Sequence, residues 1–503
     1  MRDAIYDRYR YPRQIEETIQ VDTHCDKYGL ARFDDYLGLR ENDVLGSSSP
    51  CYLHPDLVDA IGSEWLKTQF HLDPTNLVEA LGRERYMART ALGVAANPVL
   101  GKLYYSARPF LPLALRQRLQ KFYFRGWEKF RFPAWPIDVT AEGLIETALK
   151  LRMKLSGIKA LPFIWFWPRG APAAAMLTHD VETVSGLSFC RPLMDIDESY
   201  GFRSAFQIVP EGRYEASTAF LDDIWARGHE VNVQDFNHDG NLFRDKQVFL
   251  TRAEAINKYA RLWGAKGFRS AILYRNLDWY AALDFAYDMS VPNTGRLEAQ
   301  RGGCCTVFPY FIGDILELPL TTTQDYSLFN TLRQYNIDLW KAQTGLILEK
   351  HGLVSLLAHP DYLRESRAVR TYRDLLAFLK ELESERGVWV ALPNEVNNWW
   401  RQRSQMTIVP EADTWRIEGI GKERARLAFA RIDDDRLIYD FEDCVGNSPR
   451  ESREPLSAPL APPLAPHNPR SLSFMKSTGV ISSDSAMETA TPPITAMAKG
   501  CRS

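Results

Sequence analysis

No run of about 18 apolar residues occurs in the 503-residue chain, so no segment has the makeup of a membrane-spanning helix. The opening residues, MRDAIYDRYRYPRQIEE, are charged and have no apolar core of signal-peptide length behind them. Charge of one sign is also missing. Lys and Arg number 61 against 64 Asp and Glu, a formal net charge of -3, which provides no broad basic field for a phosphate backbone and sets nucleic acid aside as a partner. Seven cysteines, at 25, 51, 190, 304, 305, 444 and 501, lack both C-x-x-C spacing and the density of a disulfide scaffold. A reducing compartment fits these absences, so the expected location is the cytoplasm, at most peripheral to a membrane.

Material for a core is plentiful. Apolar residues make up 45% of the chain and aromatics 12%, including 13 Trp, and the length calls for two or three units. Residues 1–158 mix short helical patterns with Pro breaks and are expected to form a mainly helical accessory region. Within it, 102–130 alternates basic residues with Leu, Tyr, Phe and Trp. A helix packed on the next domain is preferred there over one lying on a membrane surface, because Pro109 and Pro112 interrupt the periodicity.

From about residue 159 the pattern changes. Short apolar strands such as AFQIVP, HEVNVQ and SLLAHP alternate with helical stretches such as TAFLDDIWARG and QVFLTRAEAINKYARLWGAKG. The alternation predicts an α/β unit of parallel strands and crossover helices over 159–400. Residues 401–446 read as a small antiparallel β unit. The tail, 447–503, is rich in Pro, Ser, Ala and Thr and is expected to be disordered.

Polar clusters fall at strand ends: Thr178 to Glu182 (THDVE), His229 to Asp239 (HEVNVQDFNHD), Arg269, and His359 to Tyr362 (HPDY). On a barrel such ends converge on one mouth. Asp180 and Glu182 are two apart, on one side of an extended segment, and Gln234 and His238 are four apart, on one face of a helical turn. Carboxylates with an i, i+4 pair make a plausible metal site. Each element alone has a plainer explanation, since Asp after a strand is commonly a helix cap.

In order and spacing these clusters resemble the polysaccharide deacetylases of carbohydrate esterase family 4, the NodB-like homology domain, over roughly residues 170 to 365. The resemblance implies a deformed (β/α) barrel and a metal-dependent hydrolase that removes acetyl groups from a carbohydrate, a polysaccharide or its precursor, at an amide or ester bond. It implies Asp180 as catalytic base, Arg269 as its buttress and His359 as general acid. Glu182, Gln234 and His238 would hold a divalent metal, Zn²⁺ or a similar ion such as Co²⁺. Gln234 stands where the family has His, and a neutral amide oxygen is a poorer ligand than imidazole. His229 is read as structural. The segment ELPLT, with Glu317, is similar to a strand lining the family's cleft, and Trp279, Tyr310 and Tyr326 are candidates to stack on sugar rings. Two alternatives stay open: a catalytically weak carbohydrate-binding protein on the same fold, and a hydrolase of small non-peptide amides.

Overall fold

The computed structural model describes residues 3–15, 74–89, 127–129, 132–412 and 414–441. Segment 102–130, apart from 127–129, lies outside the described residues, as do the tail 447–503 and Cys25, Cys51, Cys444 and Cys501. Among the described residues, no helix is long and apolar enough to cross a membrane.

Helices α1 (Ala4–Tyr9), α2 (Pro74–Gly82) and α3 (Thr140–Leu155) precede the first strand, β1 (Ala160–Ile164). Then β2 (Ala174–Val181), α4 (Val184–Ser199), β3 (Ala205–Ile208), α5 (Thr218–Ala226), β4 (Glu230–Gln234), α6 (Lys246–Trp263) and β5 (Gly267–Arg269) alternate strictly. Side-chain caps set where these helices begin: Thr183 accepts from Ser185 N and Gly186 N, Ser217 from Phe220 N, and Asp245 from Val248 N. After β5 the alternation lapses. Strands β6 (Tyr287–Asp288), β7 (Tyr310–Ile312) and β8 (Ile315–Glu317) follow one another without an intervening α-helix, and α7 (Asp338–Glu349), β9 (Leu353–Leu357), α8 (Ser366–Arg386) and β10 (Trp389–Val390) complete the sheet.

The strand order is β9-β2-β3-β4-β5-β6-β8-β7, all parallel except β7 against β8, with β10 pairing the start of β2. β2 is buried along its whole length, as suits a central strand covered on both faces. The sheet curls so that the segment after β8 meets β9, and side chains make the seam. Thr321 Oγ1 donates to Leu353 O at 2.7 Å and accepts from Ser355 N at 2.8 Å, while Thr322 Oγ1 donates to Ser355 O at 2.7 Å. Threonine hydroxyls thus replace backbone partners at the closure, and the architecture is a deformed (β/α) barrel.

The flanking regions pack into the same core. Ile5, Tyr9 and Tyr11 share one buried cluster with Phe163 and Trp167 of the barrel side and with Leu427 and Ala428 near the end of the described chain. Helix α9 (Pro393–Gln405) runs across the expected boundary at 400, followed by the hairpin β11 (Thr407–Glu411) and β12 (Thr414–Glu418). β13 (Leu427–Asp433) pairs with β14 (Arg436–Phe441) and also antiparallel with β1, so a strand from before the barrel completes this three-stranded sheet.

Another tie runs from the end of α2 to the barrel loops. Glu84 pairs with the fully buried Arg275 through both carboxylate oxygens, and also accepts from Gly303 N at 2.6 Å. Removing one partner of a buried pair strands the other charge, so Glu84→Ala is expected to destabilise the protein by about 3–5 kcal/mol. Urea denaturation, followed by Trp fluorescence, checks this; an unchanged midpoint would contradict it.

Candidate active site

The parallel strands deliver their C-terminal ends to one side of the barrel, and the polar clusters sit there. Asp180 is the penultimate residue of β2, with Glu182 just beyond it; Gln234 ends β4, Arg269 ends β5, and His359 lies two residues past β9. Alternation on β2 turns Thr178 and Asp180 inward, where both meet Arg269. The guanidinium donates to Thr178 Oγ1 at 3.2 Å and lies 3.5 Å from Asp180 Oδ1, and Gln234 Nε2 donates to Asp180 Oδ2 at 3.1 Å.

Gln234 and His238 do not share a helical turn. Gln234 closes a strand, and the chain then turns through positive φ at Asp235 (54°) and His238 (55°). Two non-glycine residues in the left-handed region within four positions bend the loop back on itself. His238 Nε2 comes to rest 2.8 Å from Glu182 Oε1, and its Nδ1 lies 3.3 Å from Arg213 of a neighbouring loop.

His359 approaches the same carboxylate from the other side, with Nε2 3.7 Å from Glu182 Oε1. Its Nδ1 is 2.6 Å from Asp325 Oδ1, and its backbone N donates to Asp325 Oδ2 at 2.8 Å. Asp325 therefore sets both the ring and the main chain of His359 and leaves Nε2 facing the cleft. Tyr362 packs on His359 with ring centroids 5.2 Å apart, and Tyr326 packs on Tyr362 at 5.3 Å.

Electrostatics follow from this crowding. Burial alone would raise the Glu182 carboxyl, but His238, His359 and Arg213 reverse that and hold it at about 2. Burial opposes a charge on His359, yet Asp325, Glu182 and Asp180 outweigh it and push the imidazole up to about 10. Asp180 is raised because its desolvation exceeds the relief from Arg269 and His359. A buried carboxyl raised above its usual range beside an imidazole raised to about 10 is an arrangement that acid–base chemistry can use.

Asp180, Glu182 and His359 offer ligand atoms that all lie within 4.8 Å of one another. Asp180 Oδ1 and Gln234 Oε1 are buried without a hydrogen-bond partner. One orphaned carboxylate oxygen and one orphaned amide oxygen, in a site that also holds the Glu182 carboxylate and the His238 imidazole, fit a divalent cation.

The HPD loop is clamped to this group. Asp361 Oδ2 accepts from Glu182 N at 3.2 Å, and Oδ1 accepts from the Thr183 hydroxyl. The clamp needs Gly186, where a Cβ would lie 2.2 Å from Asp361 Oδ2. Gly186→Ala is expected to push Asp361 off Glu182 and reduce activity roughly 10²-fold, the scale of an ångström-level misplacement. Kinetics of the purified variant, with circular dichroism to verify folding, test this.

Three candidate sugar-binding residues lie elsewhere. Glu317 is fully buried, its carboxyl accepting from Val291 N at 3.0 Å and pushed well above the usual carboxylate range by burial and by Asp288. Tyr310 donates to Gly82 O at 2.9 Å, at the junction with α2. Trp279 packs on Phe243 and Phe249 against α6. Asp325 and Arg213 fall outside any spaced motif of the sequence. Asp361 was visible only as part of HPD.

No family model matches the chain, and no curated protein matches it. It is similar to several solved structures. A candidate polysaccharide deacetylase from Mycobacterium smegmatis is 19% identical, with 47% of this chain and 93% of that one covered and a TM-score of 0.36. PuuE allantoinase is 12% identical, with 47% and 92% covered and a TM-score of 0.36. The chitin deacetylase of the fungal pathogen Colletotrichum lindemuthianum is 13% identical, with 46% and 90% covered and a TM-score of 0.29.

Proposed function

We propose that the protein is a metal-dependent hydrolase that removes acetyl groups from a carbohydrate. The observation that carries this is that a buried carboxylate buttressed by Arg269 and an imidazole buttressed by Asp325 both meet at Glu182, which also pairs with His238.

Glu182 and His238 would hold the ion, with Gln234 Oε1 as a weaker third ligand. A divalent ion held there would polarise the acetyl carbonyl and would lower the pKa of the attacking water. The chain's own groups do the rest. Asp180 takes the proton of the water as it attacks the carbonyl carbon, while Arg269 and Gln234 fix the carboxylate's orientation. His359 gives its Nε2 proton to the leaving amine or hydroxyl as the acyl bond breaks, and Asp325 stabilises the ring that carries the proton. Tyr326 and Tyr362 form an aromatic edge beside His359 on which a sugar ring can stack.

Acetate release from acetylated chito-oligosaccharides tests the reading: activity lost on chelation and restored by Zn²⁺ or Co²⁺ is expected, and none under any ion would overturn it. Allantoin is the control for the small-amide alternative. Gln234→His is expected to tighten ion binding by on the order of tenfold, since imidazole is the better ligand for such ions. Calorimetric titration showing no gain would mean that position 234 does not face the ion.

A further inference from the structure

β2 carries a second polar side chain next to Asp180, pointing the other way. His179 faces the layer between sheet and helices, where an apolar residue would ordinarily pack, and it is completely buried. Both of its ring nitrogens face oxygen acceptors: Nδ1 is 3.0 Å from Ala358 O, and Nε2 is 3.0 Å from Asp197 Oδ2. Ala358 immediately precedes His359, so one ring joins the strand that bears the base to the residue before the acid.

Asp197, on α4 and also completely buried, gathers the surrounding elements. It accepts from the Tyr372 hydroxyl of α8 at 2.6 Å and from the Ser204 hydroxyl at the start of β3 at 2.7 Å. Ser204 is bonded in turn to His229 Nδ1, whose Nε2 is 3.1 Å from Glu198. Among the described residues no guanidinium or ammonium contacts Asp197 itself, so the buried carboxylate depends on His179, Ser204 and Tyr372. A polar network replaces hydrophobic packing directly behind the cleft, and its one branch toward the cleft ends at Ala358.

We propose that Asp197, acting through His179, is the positioning residue that holds the ends of β2 and β9 together and so sets Asp180 against His359. The proposal rests on the functional reading above. Neither residue touches substrate. Ala358 N already donates to Thr178 O at 3.0 Å and Asp325 holds His359; Asp197 orients the imidazole, which adds the restraint on Ala358 O, so loss of either lets the start of the HPD loop shift while the barrel stays folded.

His179→Phe keeps a ring of similar size and removes both bonds. It is expected to lower kcat for acetate release roughly 10²-fold, as ångström-scale misplacement does, with KM unchanged. In the paired variant His179→Phe/Asp197→Leu, both members are apolar and the thermal midpoint should recover, while kcat should not. A merely structural network would instead return activity together with stability. The crystal structure of His179→Phe reads the position of His359 without any turnover, which separates this proposal from the functional one. A displaced His359 supports the positioning role even if acetylated sugars prove not to be substrates. An unmoved His359, or kcat restored in the paired variant, overturns it.

Discussion

Asp180→Asn is expected to reduce acetate release by about 10²- to 10⁴-fold, the range general-base removal costs, while leaving the thermal midpoint within a few degrees of the parent. The near-neutral stability follows from the environment. Burial already works against the charged carboxylate, so removing the charge relieves desolvation as well as losing the Arg269 contact at 3.5 Å. An Asn oxygen can face Arg269, and its amide can donate to Gln234 Oε1, which has no partner, once the Gln234 amide turns over. Side-by-side kinetics and thermal denaturation separate the two effects; a variant of parental activity would remove Asp180 from the mechanism.

Asp325→Asn should cost a similar 10²- to 10⁴-fold in kcat and should also move the pH profile. His359 must carry its proton to donate it. Its neighbours hold that proton up to about 10, with Asp325 foremost among them against the cost of burial, so activity persists through neutral pH and falls as pH rises through that value. Without the Asp325 charge the imidazole releases its proton earlier, and the alkaline limb shifts to lower pH. An unshifted limb together with lowered kcat would assign that limb to another group.

The site was legible where chemistry coincides with strand ends. THDVE, Arg269 and His359 stand at the exits of parallel strands, and strand geometry brings them together. Gln234 and His238 do not share the helical face that their spacing predicts, because Gln234 ends a strand and positive φ at Asp235 and His238 makes the turn. Glu317 sits in a strand of the expected kind, but its side chain turns to Val291 and Asp288 inside the fold, a choice that composition does not encode. Asp325 carries no signal in the sequence because its partner His359 is 34 residues away and only tertiary folding brings them into contact. The barrel's first half followed from clear alternation, whereas the closure rests on threonine hydroxyls that look like ordinary strand residues in sequence.

The most direct test of the central claim is elemental analysis of the purified protein, paired on the same preparation with acetate release from acetylated chito-oligosaccharides before and after chelation. Close to one divalent ion per chain, with acetate release that disappears on chelation and returns with the ion, is the predicted result. A protein that holds no ion at saturating concentration and releases no acetate would contradict the account and favour a carbohydrate-binding protein on the same barrel.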